Sequence, residues 1–234
     1  MTARKPIAVS WSGGKDSSLT VRALREGGEF EPVALLTSIT REYDRISIHG
    51  VRRELLVQQA HALGLPLFEI GLEPSTSNES YEAAFLAGVA ELHAALPDVR
   101  HMAFGDLFLA DVRAYRERLL SSTGLSAVFP LWKRDTTELA QEFVSAGFVA
   151  HLVCVDTTQL SGRFAGRRFD HALLAELPPG VDPCGELGEF HTFVSGGPIF
   201  RQPVSIAVGD TVLREERFAY CDLLPSRQEA GVMT

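Results

Sequence analysis

The sequence predicts an α/β protein with a doubly wound parallel sheet and a smaller mixed α/β extension at its C-terminal end. Short, continuous apolar segments alternate with helical patterns up to about residue 122, as is typical of βαβ units. A Gly-Gly turn directly follows the first apolar segment. Beyond Pro178-Pro179-Gly180 the apolar segments follow one another without intervening helical patterns, which favours antiparallel strands.

The first half predicts strands and helices in alternation. Residues 6–11 are continuous, apolar and end at a glycine turn, which is typical of a buried strand. A helix then fits from Ser17 to about Arg25, because Gly27 and Gly28 supply its stop signal. Further strands are predicted at 32–39, 66–70 and 101–106, and helices at 51–64, from a capping box of Thr76 and Glu79 to Pro97, and from Asp111 to Ser122.

The second half is less regular. One more helix is predicted at 134–147, with Asp135 or Thr136 as its N-cap, followed by a strand at 148–156. A short helix near 170–177 precedes antiparallel strands at 189–195, 203–209 and 211–224. We therefore divide the chain into a nucleotide-binding α/β domain, residues 1–122, and a substrate-side extension, residues 123–234.

Composition limits the functional classes. The 234 residues carry a formal net charge of −8, so non-specific nucleic-acid binding is not expected. No apolar run is long enough to cross a bilayer, and the first residues lack the apolar core of a signal peptide, which predicts a cytoplasmic protein without a membrane partner. Cys154, Cys184 and Cys221 lie far apart and form no CxxC pair, so neither a zinc site nor a disulfide framework is indicated.

The stretch VSWSGGKDSS, residues 9–18, has the composition of an anion site. Gly13 and Gly14 allow successive backbone N–H groups to converge, and the helix that follows adds unpaired N–H groups. Lys15 adds a positive charge. Asp16 either caps the helix or holds Mg²⁺ that bridges phosphates. The turn is therefore interpreted as a phosphate or pyrophosphate cradle, in which the hydroxyls of Ser12 and Ser17 can donate hydrogen bonds.

Two common phosphate loops do not match this turn. A Walker A loop needs glycine where this chain has Val9, and Ser or Thr where it has Asp16. The G-x-G-x-x-G pattern fails because Gly13 and Gly14 are adjacent.

The turn instead resembles the S-G-G-x-D-S fingerprint of the PP-loop ATP pyrophosphatase superfamily. The segment VDPCGELGEFHTFVSGGPIF, residues 181–200, resembles the signature of the diphthine–ammonia ligase-like family within that superfamily. Supporting matches at 49–56, 104–117, 130–136 and 164–170 extend the resemblance over nearly the whole chain. The resemblance implies a HUP/Rossmann-like fold.

The resemblance also implies a reaction and its residues. These ligases adenylate a carboxylate of diphthine, a modified histidine, with ATP and Mg²⁺, release pyrophosphate, and let ammonia displace AMP to form an amide. The catalytic candidates are Lys15, Asp16, Glu186, Glu189 and His191. Candidates for binding ATP are Ser10, Ser12, Gly13, Gly14, Lys15, Asp16 and Ser17 around the phosphates, Thr37 and Ser38 near adenosine, and Gly105 and Asp106, with Asp16 as a metal ligand.

Two of these assignments also have physical support. Thr37 and Ser38 end a predicted strand, and ligands of open α/β sheets bind beyond the carboxyl ends of the strands. Glu189 and His191 are two residues apart, so an extended segment would point both to one face, where they position ammonia, take its proton or bind the acceptor. His49 either faces the nucleotide or caps a surface helix, and the arginines at 113, 116 and 118 are interpreted as a solvated face.

The expected partners are ATP, ammonia and an acceptor carboxylate, carried by a translation elongation factor if the host makes diphthamide. Homodimer formation stays an open alternative, because the C-terminal strands offer an edge that a partner can cover.

Two other functions remain as alternatives. A PP-loop tRNA-modifying enzyme predicts a basic groove and catalytic cysteines, against which the acidic charge and isolated cysteines count. A non-catalytic sensor of ATP or AMP predicts tight binding without release of pyrophosphate.

Overall fold

The computed structural model describes residues 3–47 and 49–226, so the first two and last eight residues of the two predicted domains lie outside the described ranges. The strands are β1 Lys5–Ser10, β2 Phe30–Thr40, β3 Arg45–Ile46, β4 Leu67–Leu72, β5 His101–Ala103, β6 Ser126–Val128, β7 Val149–Asp156, β8 Phe190–Gly196, β9 Ile206–Arg214 and β10 Phe218–Pro225. The α-helices are α1 Lys15–Gly27, α2 Arg53–Leu63, α3 Asn78–Ala95, α4 Ala110–Leu120, α5 Thr136–Ser145 and α6 His171–Glu176.

The first sheet is parallel in the order β4-β2-β1-β5-β6, and β3 adds a short antiparallel pair to the end of β2. Its strands are buried on both faces. Ile7 and Val9 belong to the core beneath α1 and α2, whereas Ala8 between them belongs to the core beneath α3 and α4. Helices therefore cover both faces, and the predicted Rossmann-like α/β class is confirmed.

The second sheet is antiparallel in the order β8-β7-β10-β9. The predicted strand bounds at 203–209 and 211–224 are wrong, because β9 continues to Arg214 and the hairpin turns at Glu215 and Glu216. Both turn residues have positive φ, 53° and 52°. Apolar spacing did not reveal the turn, since the strand that precedes it is mostly exposed.

Two helix N-caps that the sequence analysis proposed can be compared with the structure. The N-cap of α3 is Ser77, whose hydroxyl accepts the backbone N–H of Ser80, so the predicted capping box of Thr76 and Glu79 is wrong. Of the two candidates for α5, Asp135 is the N-cap and accepts the N–H of Glu138. The short strands β3 and β6 were not predicted, because two or three residues carry no readable period.

Of the two apolar cores, the one beneath α1 and α2 also connects the two sheets. It contains Ile7 and Val9 of the first sheet together with Val153 and Phe193 of the second. The division at residue 122 stays a prediction. In the described ranges, none of the helices combines the length and the apolar character needed to cross a bilayer.

Candidate active site

The glycine turn lies between β1 and α1, at the carboxyl end of the central strand. Gly13 has φ +75°, a conformation that favours glycine. A Cβ on Gly14 would lie 2.9 Å from the backbone oxygen of Thr192, so close packing against β8 also requires glycine there. The helix starts at Lys15, two residues earlier than predicted, which brings its N-terminal N–H groups to the turn.

Buried hydrogen bonds hold this turn in place. The Gln59 amide, fully buried on α2, donates to the carbonyls of Gly13 at 3.0 Å and Val194 at 2.6 Å and accepts from the Trp11 indole N–H at 3.0 Å. From β8, the N–H of Val194 donates to the Gly13 carbonyl at 2.9 Å. The turn is therefore built jointly by the first sheet, α2 and the second sheet.

A cavity of about 250 Å³ opens beside the turn, between the ends of β1 and β5 and the segment that leads into β8. The predicted site residues that line it are Ser10, Ser12, Gly14, Asp16, Ser17, Gly105, Asp106, Glu186 and His191. Gly13, Lys15, Thr37, Ser38 and Glu189 are not among its lining residues. His49, whose place was left open, also lines the cavity, as do Phe104, Arg116, Cys184 and Thr192, which were not predicted as site residues.

Lys15 lies behind the residues that line the cavity. Its side chain is 1% exposed and forms an ion pair with the carboxylate of Asp16. Burial is the largest single influence and opposes the positive charge, but Asp16, Cys184 and Glu186 together outweigh it, and the pKa of Lys15 is raised. Lys15 is therefore a fixed cation beneath the turn.

Glu186 brings a titratable carboxyl group to the opposite wall. Its Oε1 accepts the backbone N–H of Leu107 at 2.8 Å, which ties the C-terminal segment to the end of β5. Burial raises the pKa of Glu186 to about 7; Asp16 and Asp106 add to the rise, and the Leu107 N–H opposes it. A carboxyl group that titrates near neutral pH is suited to general acid–base chemistry.

His49 and His191 stack on each other, with ring centroids 4.5 Å apart and an interplanar angle of 24°. Burial lowers the pKa of His191 to about 4, although Asp16 opposes this shift. Burial and the neighbouring His191 also lower the pKa of His49 well below its ordinary value. Both rings are thus neutral near pH 7. Of the two positions left open for His49, the cavity-facing one is found. The only sequence signal for this position was the place of His49 before a glycine at a predicted helix start.

His191 lines the cavity and Glu189 does not, while the expectation that the two side chains share one face stays a prediction. Glu189 contacts the loop that precedes β8. Its Oε1 accepts the N–H of Asp182 at 2.8 Å and its Oε2 that of Leu187 at 3.0 Å. The side chain is 2% exposed. Glu189 directly precedes β8, and both of these hydrogen bonds come from the loop 182–187, while its own carbonyl accepts the N–H of Asp156 in β7. Its catalytic role stays a prediction.

Of the candidates predicted at strand ends, Gly105 and Asp106 follow β5, whereas Thr37 and Ser38 lie within β2, which continues to Thr40. Thr37 is buried, and its hydroxyl has no hydrogen-bond partner among the described residues, whereas the carbonyl of Ser38 accepts the N–H of Ser47 at 3.1 Å. A Cβ on Gly105 would lie 3.0 Å from the backbone carbon of Asp16, so the end of β5 packs directly on the start of α1. Burial raises the pKa of Asp106, and Arg116 opposes this shift.

The cysteines are buried free thiols. Burial raises the pKa of Cys184 to about 12, although the charge of Lys15 lowers it, and its Sγ donates to the Thr136 carbonyl at 3.2 Å. This thiol is therefore protonated at neutral pH. Among the described residues, no group of three or more His, Cys, Asp or Glu side chains is arranged to hold a metal ion.

The solvated-face interpretation of the arginines on α4 is wrong for Arg116. Its side chain is 25% exposed and lines the cavity, whereas that of Arg118 is 68% exposed. Sequence spacing could not separate them, since a helix without a clear apolar stripe does not show which side faces the protein.

Comparisons with known proteins give one consistent result. The family described as diphthamide synthase N-terminal domain matches residues 5–127, and the diphthamide synthase C-terminal domain matches residues 135–223. A diphthine–ammonia ligase of Danio rerio is 28% identical over 223 residues, covering 88% of this chain and 88% of that protein. The human enzyme of the same name is 25% identical over 227 residues, covering 88% and 85%. The Schizosaccharomyces pombe protein of that name is 25% identical over 218 residues. The match covers 86% of this chain and 36% of that protein.

Proposed function

Because this chain belongs to the diphthamide synthase family, as its motifs indicated, we propose that it is an ATP-dependent ligase that joins ammonia to an acceptor carboxylate. A carboxylate oxygen attacks the α-phosphorus of ATP and pyrophosphate leaves. The nitrogen of ammonia then attacks the acyl carbon, AMP leaves with the bonding electrons, and an amide forms. The nitrogen loses a proton to a base of the protein.

One observation carries the proposal. Asp16 of the glycine turn and Glu186 and His191, some 170 residues later in the chain, line the same cavity. An anion cradle and a group that titrates near pH 7 are thus within one small volume. This is the arrangement that activation by ATP followed by attack of a nitrogen nucleophile requires.

The residues of the turn fit a phosphate group. Gly13 and Gly14 let the turn pack closely, because a Cβ on Gly13 would meet the Gln59 side chain and one on Gly14 the Thr192 backbone oxygen. The N-terminal end of α1 begins at this turn, and Lys15 supplies a positive charge beneath it. The hydroxyls of Ser12 and Ser17 lie 3.3 Å apart and can turn toward phosphate oxygens. In this proposal the Asp16 carboxylate would hold Mg²⁺, which would neutralise phosphate charge. The unpaired hydroxyl of Thr37 supports an adenosine subsite at Thr37 and Ser38.

The opposite wall handles the nitrogen nucleophile. Glu186, anchored by the Leu107 N–H, accepts the proton that ammonia loses on attack. His191 is neutral and stacked on His49, so each ring can offer one N–H and one lone pair for orienting ammonia or the acceptor. Glu189 supports this wall through the two backbone N–H groups of the loop that carries Glu186.

For the acceptor we propose the carboxylate of diphthine on a translation elongation factor, in a host that makes diphthamide. The curated relatives are named for that substrate. A cytoplasmic location follows from such a partner.

The test incubates the protein with ATP, Mg²⁺, ammonium and a diphthine-bearing elongation factor, and separates AMP from ADP by chromatography. We expect AMP and pyrophosphate in equal amounts, dependent on the acceptor. The Asp16→Asn variant, purified in parallel, controls for contaminating ATPases. ADP and phosphate as products would overturn the mechanism. Tight ATP binding without release of pyrophosphate would favour a nucleotide sensor instead.

A further inference from the structure

Arg116 is held on the cavity wall with unused hydrogen-bonding capacity. Its guanidinium lies over the ring of Phe104, 5.3 Å from the centroid. Its Nε is buried and has no hydrogen-bond partner among the described residues, and the nearest carboxylate oxygen, Oδ2 of Asp106, is 3.8 Å away. A distance of 3.8 Å is longer than a hydrogen bond. Phe104 and Asp106 therefore orient the guanidinium without satisfying it.

The charges of the cavity make this cation distinct. Asp16, Asp106 and Glu186 line the same space, and among the lining residues Arg116 is the only Lys or Arg. Lys15 is buried behind the wall and already paired with Asp16. An anionic group that enters on this side therefore meets one guanidinium, whose Nε has no hydrogen-bond partner among the described residues and whose ion pair with Asp106 is 3.8 Å long. The planar donors of a guanidinium match a carboxylate in two-point contact.

The position along the sheet indicates which anion. The strand order β2-β1-β5 places the end of β1, with the glycine turn, between the ends of β2 and β5. Thr37 and Ser38 lie on the β2 side, whereas Asp106 and Arg116 lie on the β5 side, next to Glu186. If the nucleotide extends from Thr37 to the turn, the group on the β5 side is the second substrate.

We propose that Arg116 is a specificity-determining residue that binds the carboxylate of the acceptor and directs it toward the glycine turn. This inference rests on the proposed function, because it assigns a subsite to the second substrate. Removal of a charge-assisted, two-point contact should weaken binding of the acceptor about 10- to 100-fold.

The first test measures steady-state kinetics with ATP and a diphthine-bearing elongation factor as the varied substrates. Arg116→Gln should raise the KM for the elongation factor about 10- to 100-fold and leave the KM for ATP within about twofold. Arg116→Lys should give a KM for the elongation factor between those of the wild type and Arg116→Gln. Arg113→Gln is the matched control. Arg113 lies one turn earlier on α4, 4.9 Å from the rings of both Phe129 and Trp132, and does not line the cavity. An increase confined to the KM for ATP, or an unchanged KM for the elongation factor, would overturn the proposal.

A second test does not depend on turnover. The Nε–H resonance of Arg116, assigned by its loss in Arg116→Lys, is followed by NMR while butyrate or inorganic pyrophosphate is added at constant ionic strength. Butyrate should shift this resonance and not that of Arg113. A shift with pyrophosphate alone would make Arg116 a phosphate ligand and refute the proposal. If the wild type forms no AMP while butyrate shifts Arg116, the proposed reaction fails and the carboxylate subsite stands.

Discussion

The backbone N–H of Lys15 donates a hydrogen bond of 3.0 Å to the hydroxyl of Thr192, 177 residues away along the chain. This bond and that between Val194 and Gly13 attach the glycine turn to β8. The geometry of the glycine turn, our proposed phosphate cradle, therefore depends on the second sheet as well as on the strand and helix that flank it.

Thr192→Val should weaken the cradle, because it leaves the N–H of Lys15 buried without an acceptor. We expect the free energy of unfolding to fall by about 1–3 kcal/mol and ATP to bind less tightly. Thr192→Ser keeps the hydroxyl and serves as the control. Urea denaturation and calorimetric titration with ATP measure both effects. Equal ATP affinity in the Val and Ser variants would show that this bond does not shape the site.

Gly14→Ala should reduce both stability and ATP affinity. The new methyl would lie 2.9 Å from the backbone oxygen of Thr192, which cannot move without displacing β8. We expect a loss of about 1–3 kcal/mol in the free energy of unfolding. Gly27→Ala on the same helix meets no atom within 4 Å and should be neutral or slightly stabilising. If Gly14→Ala retained ATP affinity in calorimetry, the turn would not be the phosphate site.

Glu189→Gln should lower the free energy of unfolding, because Glu189 holds its own loop through backbone N–H groups. The amide keeps one acceptor oxygen but turns an NH₂ group toward the N–H of Asp182 or Leu187. The expected loss is about 1–3 kcal/mol in the free energy of unfolding, with Glu91→Gln on the exposed face of α3 as the control. A fall in kcat at unchanged stability would instead support the catalytic role that the sequence suggests.

Glu186 should make stability depend on pH between 4.5 and about 7. Its folded pKa of about 7 lies above its ordinary value of 4.5, so the protonated carboxyl stabilises the folded state. This contribution is complete below pH 4.5 and is lost as pH rises through 7, at up to about 1.4 kcal/mol per pH unit. His191 has a pKa that is lowered from 6.5 to about 4, so its neutral form stabilises the folded state, and this contribution to stability is lost as pH falls below 6.5.

Comparison of the wild type with Glu186→Gln isolates the carboxyl, because the amide oxygen can still accept the Leu107 N–H. Relative to the wild type, the variant should gain stability between pH 4.5 and 7, measured by urea denaturation at each pH. At constant free ammonia, wild-type kcat should rise through about pH 7 as the base ionises, and the variant should lose this rise. Parallel profiles for both proteins would exclude Glu186 as the titrating group.

The sequence by itself determined the α/β order, the place of the glycine turn between the first strand and the first helix, and the family. Each rests on information that is local in the chain: apolar runs around Val9, the adjacent Gly13 and Gly14, and the motif that contains Glu186 and His191. Backbone conformation and helix capping act over a few residues, so these features are readable without the fold.

Only the tertiary structure decided which side chains meet. Glu186 and Glu189 look equivalent in the motif, yet one lines the cavity and the other is used by two N–H groups of its own loop. Arg116 and Arg118 differ in the same way, since one is directed over Phe104 and the other toward solvent. The physical reason is that an irregular segment has no fixed side-chain period, and a buried polar group points to whichever long-range partner packing brings within reach.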